Sequence, residues 1–265
     1  MTNSSFDANT ITIQSLAQFS KGQDWRLQLA HDRPYHLLVW ITRGQGLALL
    51  NGTRRGVGAH NALFIPAHSL FALDLGRQTI GNCLQLPMGL PLQLPEIPRH
   101  LRIRDVHVQS ELTGLIEATQ REQQSARPLS ADALEGYGIL IAVWLRRQIL
   151  LEEHTPARGS AGQRLSQRFC AMLPERFATG ATMAAYAGDL GVTPTHLTRA
   201  VKAATGKTAA DLLTERILHE ARRLLVETSE PAQNIARHLG FGSAAYFTRF
   251  MQQHTNMTPS KLRGP

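Results

Sequence analysis

The chain has 265 residues, room for two domains with separate cores, and its 43% hydrophobic and 18% charged residues are those of a globular protein. The polar start MTNSSFDANT is no signal peptide, no run nears the roughly 18 apolar residues of a membrane span, and two distant cysteines, Cys83 and Cys170, exclude a disulfide framework and a CxxC zinc site, so a cytoplasmic protein is expected. The net charge of +8 is unevenly divided, with 15 Lys+Arg against 13 Asp+Glu in residues 1–160 and 13 against 7 in residues 161–265, so the C-terminal part is the one suited to a polyanion.

From Trp25 to Leu86 short apolar runs alternate with turn signals. HLLVWIT is followed by Arg43-Gly44-Gln45-Gly46, and LALL by Asn51-Gly52, a strong two-residue hairpin signal; ALFIPA, FALDL and CLQLP continue the series. Many short strands with glycine turns predict a sandwich or small barrel. Prolines at 87, 91, 95 and 98 close the region.

Two helices are predicted next. Leu112, Leu115, Ile116 and Thr119 fall at helical spacing, and a second pattern runs from an N-cap at Ser130 to about Glu153. The second helix has an apolar surface too wide for one-sided packing, with Leu140, Ile141, Val143, Trp144 and Leu145 in close succession. It packs against its own domain, and part of it is expected to pair with a second subunit. The segment from 152 to 163, EEHTPARGSAGQ, has the composition of a linker.

The C-terminal region contains an internal repeat. Ala187, Leu190 and Gly191 recur as Ala236, Leu239 and Gly240 at an offset of 49, and Leu197, Thr198 and Arg199 as Phe247, Thr248 and Arg249 at an offset of 50. Thr205 and Thr208 recur as Thr255 and Thr258. Each copy meets the requirements of a helix-turn-helix: a small residue for close helix approach, then a glycine able to take positive φ in the turn. A second helix follows, capped by Thr193 with Pro194 behind it, or by Ser243. Its outward positions hold Thr195, His196, Thr198, Arg199 and Lys202 in one copy and Ala245, Tyr246 and Arg249 in the other. Between the copies, Asp211 to Val226 predicts one helix with a stripe of Leu213, Ile217, Ala221 and Leu224. A rigid spacer of this kind can set two recognition helices about 34 Å apart, one turn of DNA.

LTRAVKAATGKTAADLLTERILHEARRLL and NIARHLGFGSAAYFTRFMQQHTNMTPSKLR resemble the DNA-binding domain of the AraC/XylS family of bacterial regulators, over about residues 165–263. The resemblance implies that Thr195, Thr198 and Arg199 reach bases in one major groove and Ala245, Tyr246 and Arg249 in the next. Lys202 and the helix starts at Thr193 and Ser243 would hold phosphates, and His196 joins the DNA-binding candidates. The chain departs from the family at Met251-Gln252, where Phe-Lys is usual, at Asn256, where Gly is usual, and at Ala232, where a larger apolar residue is common.

The β-rich region is similar to the cupin-like sensor domain of many family members, through Gly44-x-Gly46, Asn51-Gly52, Val57-Gly58 and Leu63-Phe64-Ile65-Pro66. This implies a small barrel able to hold an effector. His36 and Trp40 are candidate pocket residues; Leu37, Val39 and Ile41, on the other face of the same strand, fit equally well. His31, His36, His60 and His68 resemble a metal set, but there is no His-x-His pair and no Asp or Glu between Asp32 and Asp74, and Phe71 stands where the cupin pattern has its later histidine. No metal, cofactor or catalytic residue is expected.

The expected fold class is α+β: a cupin-like sensor barrel over 1–100, a helical dimerisation segment over 101–153, a linker over 154–163 and a DNA-binding domain over 164–265. Its helix-turn-helix units span about 183–204 and 231–254. The expected function is a sequence-specific transcription regulator, an activator under a small-molecule effector, with promoter DNA, RNA polymerase and a second copy of itself as partners and no membrane. Two other readings stand beside it: a non-specific architectural DNA-binding protein, and a metal-dependent cupin enzyme fused to a DNA-binding module.

Overall fold

The structure, a computed structural model, describes residues 10–125, 127–151 and 159–264. β1 (Thr12–Ser15) leads through two one-turn helices, α1 (Leu16–Phe19) and α2 (Trp25–Gln28), into β2 (His36–Arg43), β3 (Gln45–Leu50) and β4 (Thr53–Gly58). β5 (Asn61–Ile65), β6 (Phe71–Leu75), β7 (Ile80–Leu86) and β8 (Arg99–Arg102) complete the strands. The long helices α3 (Val106–Ser125) and α4 (Ser130–Leu151) follow. The C-terminal part comprises α5 (Ala161–Arg176), α6 (Met183–Asp189), α7 (Pro194–Thr205), α8 (Ala209–Glu227), α9 (Ala232–His238), α10 (Ala244–Thr255) and α11 (Pro259–Arg263). Of the expected linker, residues 154–158 lie outside the described residues; α5 starts at Ala161 behind a capping box of Ser160 and Gln163.

Among the described residues all strand pairs are antiparallel and form two sheets, ordered β1-β7-β2-β5-β8 and β4-β3-β6. Asn51 and Gly52 turn the β3–β4 hairpin with φ of 48° and 63°, as a tight hairpin of this composition requires. The expected cupin-like barrel is not closed: among the described residues the strands pair as a two-sheet sandwich. The cause is a corner. The ladder shifts register between Ile41 and Arg43, and Gly44, at φ 90°, carries the chain from one sheet into the other. Thr79 lies so near that a Cβ on Gly44 would be 2.6 Å from its backbone.

Three apolar cores stack four layers. Leu37, Val39 and Ile41 of one sheet meet Leu50, Val57, Phe71 and Leu73 of the other in the sandwich core. On the outer face of the larger sheet, Leu38, Trp40, Phe64 and Leu84 pack beneath Leu112 and Ile116 of α3 and Ile141, Trp144 and Leu145 of α4. Leu49 and Ala72, on the outer face of the smaller sheet, share a core with Phe169, Tyr186, Leu197 and Val201 of the helical domain. Truncating Trp40 or Trp144, each at most 1% exposed, would cost about 3–5 kcal/mol. The second helix-turn-helix has its own core of Leu218, Leu225, Ile235, Phe247 and Met251.

Candidate nucleic-acid interface

The repeat in sequence is a repeat in geometry. In the first unit α6 and α7 are joined through Gly191, at φ 71°, and in the second α9 and α10 through Gly240, at φ 77°. The N–H of Val192 donates to the Ala187 carbonyl at 2.9 Å, and that of Phe241 to the Ala236 carbonyl at 2.9 Å. Ala187 and Ala236 are buried, as close helix contact requires.

The helices begin and end alike. Thr193 Oγ1 accepts from the His196 N–H at 3.2 Å, and Ser243 Oγ from the Tyr246 N–H at 3.1 Å. α7 ends at Gly206 and α10 at Asn256, both left-handed, so asparagine fills the role that glycine has in the first copy. The repeated threonines have the same duties. Thr205 and Thr255 donate back to the carbonyls of Val201 and Met251 and accept from the N–H of Lys207 and Met257, while Thr208 and Thr258 cap α8 and α11.

This scaffold divides each recognition helix into an inner and an outer face. Leu197, Val201, Phe247 and Met251 are fully buried. Thr195, His196, Arg199 and Lys202 are exposed on α7, with Thr198 half-buried; on α10 Ala245, Tyr246 and Arg249 are exposed. Thr193 and Ser243 are exposed at the two starts. Arg199, Lys202 and Arg249 form no ion pair among the described residues, whereas nearby Lys207 is held by Glu215 at 2.6 Å. The two exposed faces therefore carry arginines with no ion-pair partner among the described residues, while Lys202 lies within the electrostatic reach of Asp211.

The connecting helix α8 differs from its expected stripe. Of Leu213, Ile217, Ala221 and Leu224 only Ala221 is buried, while Arg216, His219 and Glu220 are buried with Leu212, Leu218 and Leu225. The cause is a seam with the N-terminal domain. Arg216 donates to Asp32 at 2.7 Å and lies over Phe177, Glu215 accepts from the Ala30 N–H, and Arg26 donates to Glu227 at 2.6 Å. His219 stacks on His31 with ring centres 4.1 Å apart. Burial, reinforced by neighbouring cations, holds both imidazoles well below their ordinary pKa. The signal for this seam was present in sequence as charged residues spaced i, i+4 inside an apolar helix, but its partners are some 185 residues away.

The two candidate pocket residues lie on one face. Trp40 points out of the sandwich towards α3, its indole N–H donating to Thr113 Oγ1 at 3.3 Å, and His36 Nδ1 accepts from the Ala67 N–H at 3.2 Å. The sandwich interior belongs instead to Leu37, Val39 and Ile41, each at most 1% exposed. No cluster of three or more His, Cys, Asp or Glu able to hold a metal occurs among the described residues. No described helix is long and apolar enough to cross a membrane. An open cleft of about 350 Å³ lies between the α1–α2 segment and the β6–β7 turn, lined among others by Leu27, Leu73, Leu75, Asp24 and Arg77.

Residues 186–264 match a helix-turn-helix domain family. The chain is 25% identical over 251 residues to the HTH-type transcriptional activator RhaS of Klebsiella pneumoniae, covering 88% of this chain and 86% of the relative. It is 38% identical over 77 residues to the probable transcription factor PqrA of Proteus vulgaris, covering 29% of this chain and 63% of that protein. Among solved structures, ToxT of Vibrio cholerae superposes with a TM-score of 0.43 at 9% identity over 96% of both chains, a likeness too distant to bear on function.

Proposed function

We propose that the chain is a member of the AraC/XylS family of transcription regulators and that its parts divide the work as follows. It is a DNA-binding regulator of transcription. The reading rests on a single observation: two equally capped recognition helices, α7 and α10, each present an exposed arginine without a carboxylate partner among the described residues and are joined by one helix, α8. Each would enter a major groove of promoter DNA, with Thr195, Thr198 and Arg199 meeting bases in one and Ala245, Tyr246 and Arg249 in the next. The Thr193 and Ser243 helix starts, His196 and Lys202 would lie against the backbone.

The protein acts in the cytoplasm as an activator that contacts RNA polymerase and responds to a small-molecule effector. The packed sandwich core favours the cleft between the α1–α2 segment and the β6–β7 turn as the effector site, and α2 then lies between that cleft and α8. A second copy pairs through α4, whose Ile139, Leu140 and Leu150 are 44%, 52% and 79% exposed. Effector control requires unequal affinity for two arrangements of the domains, and the seam along α8 is the place where they differ.

Selection of bound fragments from genomic DNA, followed by footprinting, tests the reading. Two protected patches about one helical turn apart in a recurring sequence are expected. Protection without sequence preference would replace it with an architectural role.

A further inference from the structure

The N-terminal domain meets the first helix-turn-helix unit through the β3–β4 hairpin, and this contact is close-packed. Gly52, at the hairpin tip, is packed so closely on α5 that a Cβ there would lie 2.8 Å from the backbone of Ser166 and Gln167. The Ser166 hydroxyl donates a buried 2.7 Å hydrogen bond to the Gly52 carbonyl. One step along the ladder, Leu49 pairs with Arg54, and Leu49 shares a core with Leu197 and Val201 of α7. The hairpin thus packs directly against the core side of the first recognition helix.

That anchoring determines where Arg54 lies. Its guanidinium is 3.3 Å from the position of a Cβ on Gly206, the left-handed residue that ends α7. Gly206 in turn donates to the carbonyl of Lys202, an exposed cation one turn earlier. Arg54 is exposed and forms no ion pair among the described residues, and there is no Asp or Glu from Arg33 to Leu73. The next residue, Arg55, alternates to the other face of the strand, where with Arg102 and burial it holds the His100 pKa down to about 4. Arg54 therefore stands at the end of the recognition helix, an exposed guanidinium with no ion-pair partner among the described residues, carried there by the packed hairpin.

We propose that the N-terminal domain takes part directly in DNA binding, with Arg54 contacting a backbone phosphate next to the site read by α7. The proposal rests on the reading of α7 as a recognition helix. It assigns Arg54 an electrostatic and sequence-independent role, since a phosphate contact positions the protein without reading bases.

The test measures the affinity of the full-length chain for a selected DNA fragment over a range of salt concentrations. Arg54→Ala should reduce the steepness of the log–log salt dependence by about 0.9, the value for one lost phosphate contact, with the preferred sequence unchanged. Arg54→Lys should restore most of the slope. Arg121→Ala, which removes the same charge from α3 on the far side of the larger sheet, should leave it at the wild-type value. A slope for Arg54→Ala equal to that of Arg121→Ala overturns the proposal. So does a lower unfolding midpoint with an unchanged slope, which would make Arg54 a cation that only stabilises the end of α7. A wild-type chain with no salt-dependent DNA binding would overturn the reading of α7 as well, and is distinguished by that baseline.

Discussion

Arg216 of the helix between the two helix-turn-helix units lies 2.7 Å from Asp32 of the N-terminal domain, with the two side chains only 7% and 11% exposed. The same guanidinium reaches Glu220 at 3.3 Å and covers the Phe177 ring at 3.7 Å. A charge withdrawn this far from water is tolerable only with its partners in place. Arg216→Ala should therefore lower the unfolding free energy by about 3 kcal/mol. The double variant Asp32→Asn/Arg216→Met should lose less than the sum of the single changes, as denaturant titrations of the full chain would record.

The histidines at this seam make stability depend on pH in one direction. Burial lowers the pKa of His31 and His219, with Arg33 and Arg216 adding to the effect on each ring and His31 to that on His219. Burial together with Arg102 and Arg55 takes His100 to about 4. An unfolded histidine binds a proton near pH 6.5, whereas these folded ones do not. Stability should be fully present above pH 6.5 and decline as the pH falls from there towards 4. His219→Gln should flatten that decline in pH-dependent thermal unfolding; an unchanged slope would remove His219 from the account.

The two recognition helices should contribute unequally. Both arginines are exposed, but α7 carries exposed Lys202 one turn before its end, where α10 carries Gln252. Arg199→Ala should weaken specific binding by about 1–3 kcal/mol, the worth of a bidentate guanine contact, and Arg249→Ala by less. Equal losses in a gel-shift series would refute the ordering.

The two turn glycines also separate. Both have positive φ, so alanine at either is strained by about 1 kcal/mol. Around Gly191 nothing would meet a new Cβ, whereas at Gly240 the Ala178 carbonyl and the Gly180 nitrogen would each be 2.7 Å away. Gly240→Ala should lower the melting temperature several degrees further than Gly191→Ala, because backbone on backbone has no flexible end to yield.

The Ser166–Gly52 hydrogen bond gives a milder probe of the domain contact. Ser166→Ala leaves the Gly52 carbonyl buried without its partner and should cost about 1–3 kcal/mol. Unchanged thermal unfolding would mean that the hairpin is held by apolar packing alone.

Sequence alone specified the duplicated units down to their individual caps. Thr193, Ser243, Gly191, Gly240 and the recurring threonines act within five residues of themselves, so their roles appear as fixed spacings. The hairpin at Asn51-Gly52 was legible for the same reason. Only the tertiary structure chose the face of β2 that turns into the sandwich, since Trp40 and Val39 are equally apolar and alternate on opposite sides. It alone showed that the sheets stay apart, and that α8 buries Arg216 and His219 in place of the leucine stripe. The burial on α8 depends on Asp32, His31 and Arg26, which lie nearly two hundred residues away, and contacts between such distant parts leave no period in the chain.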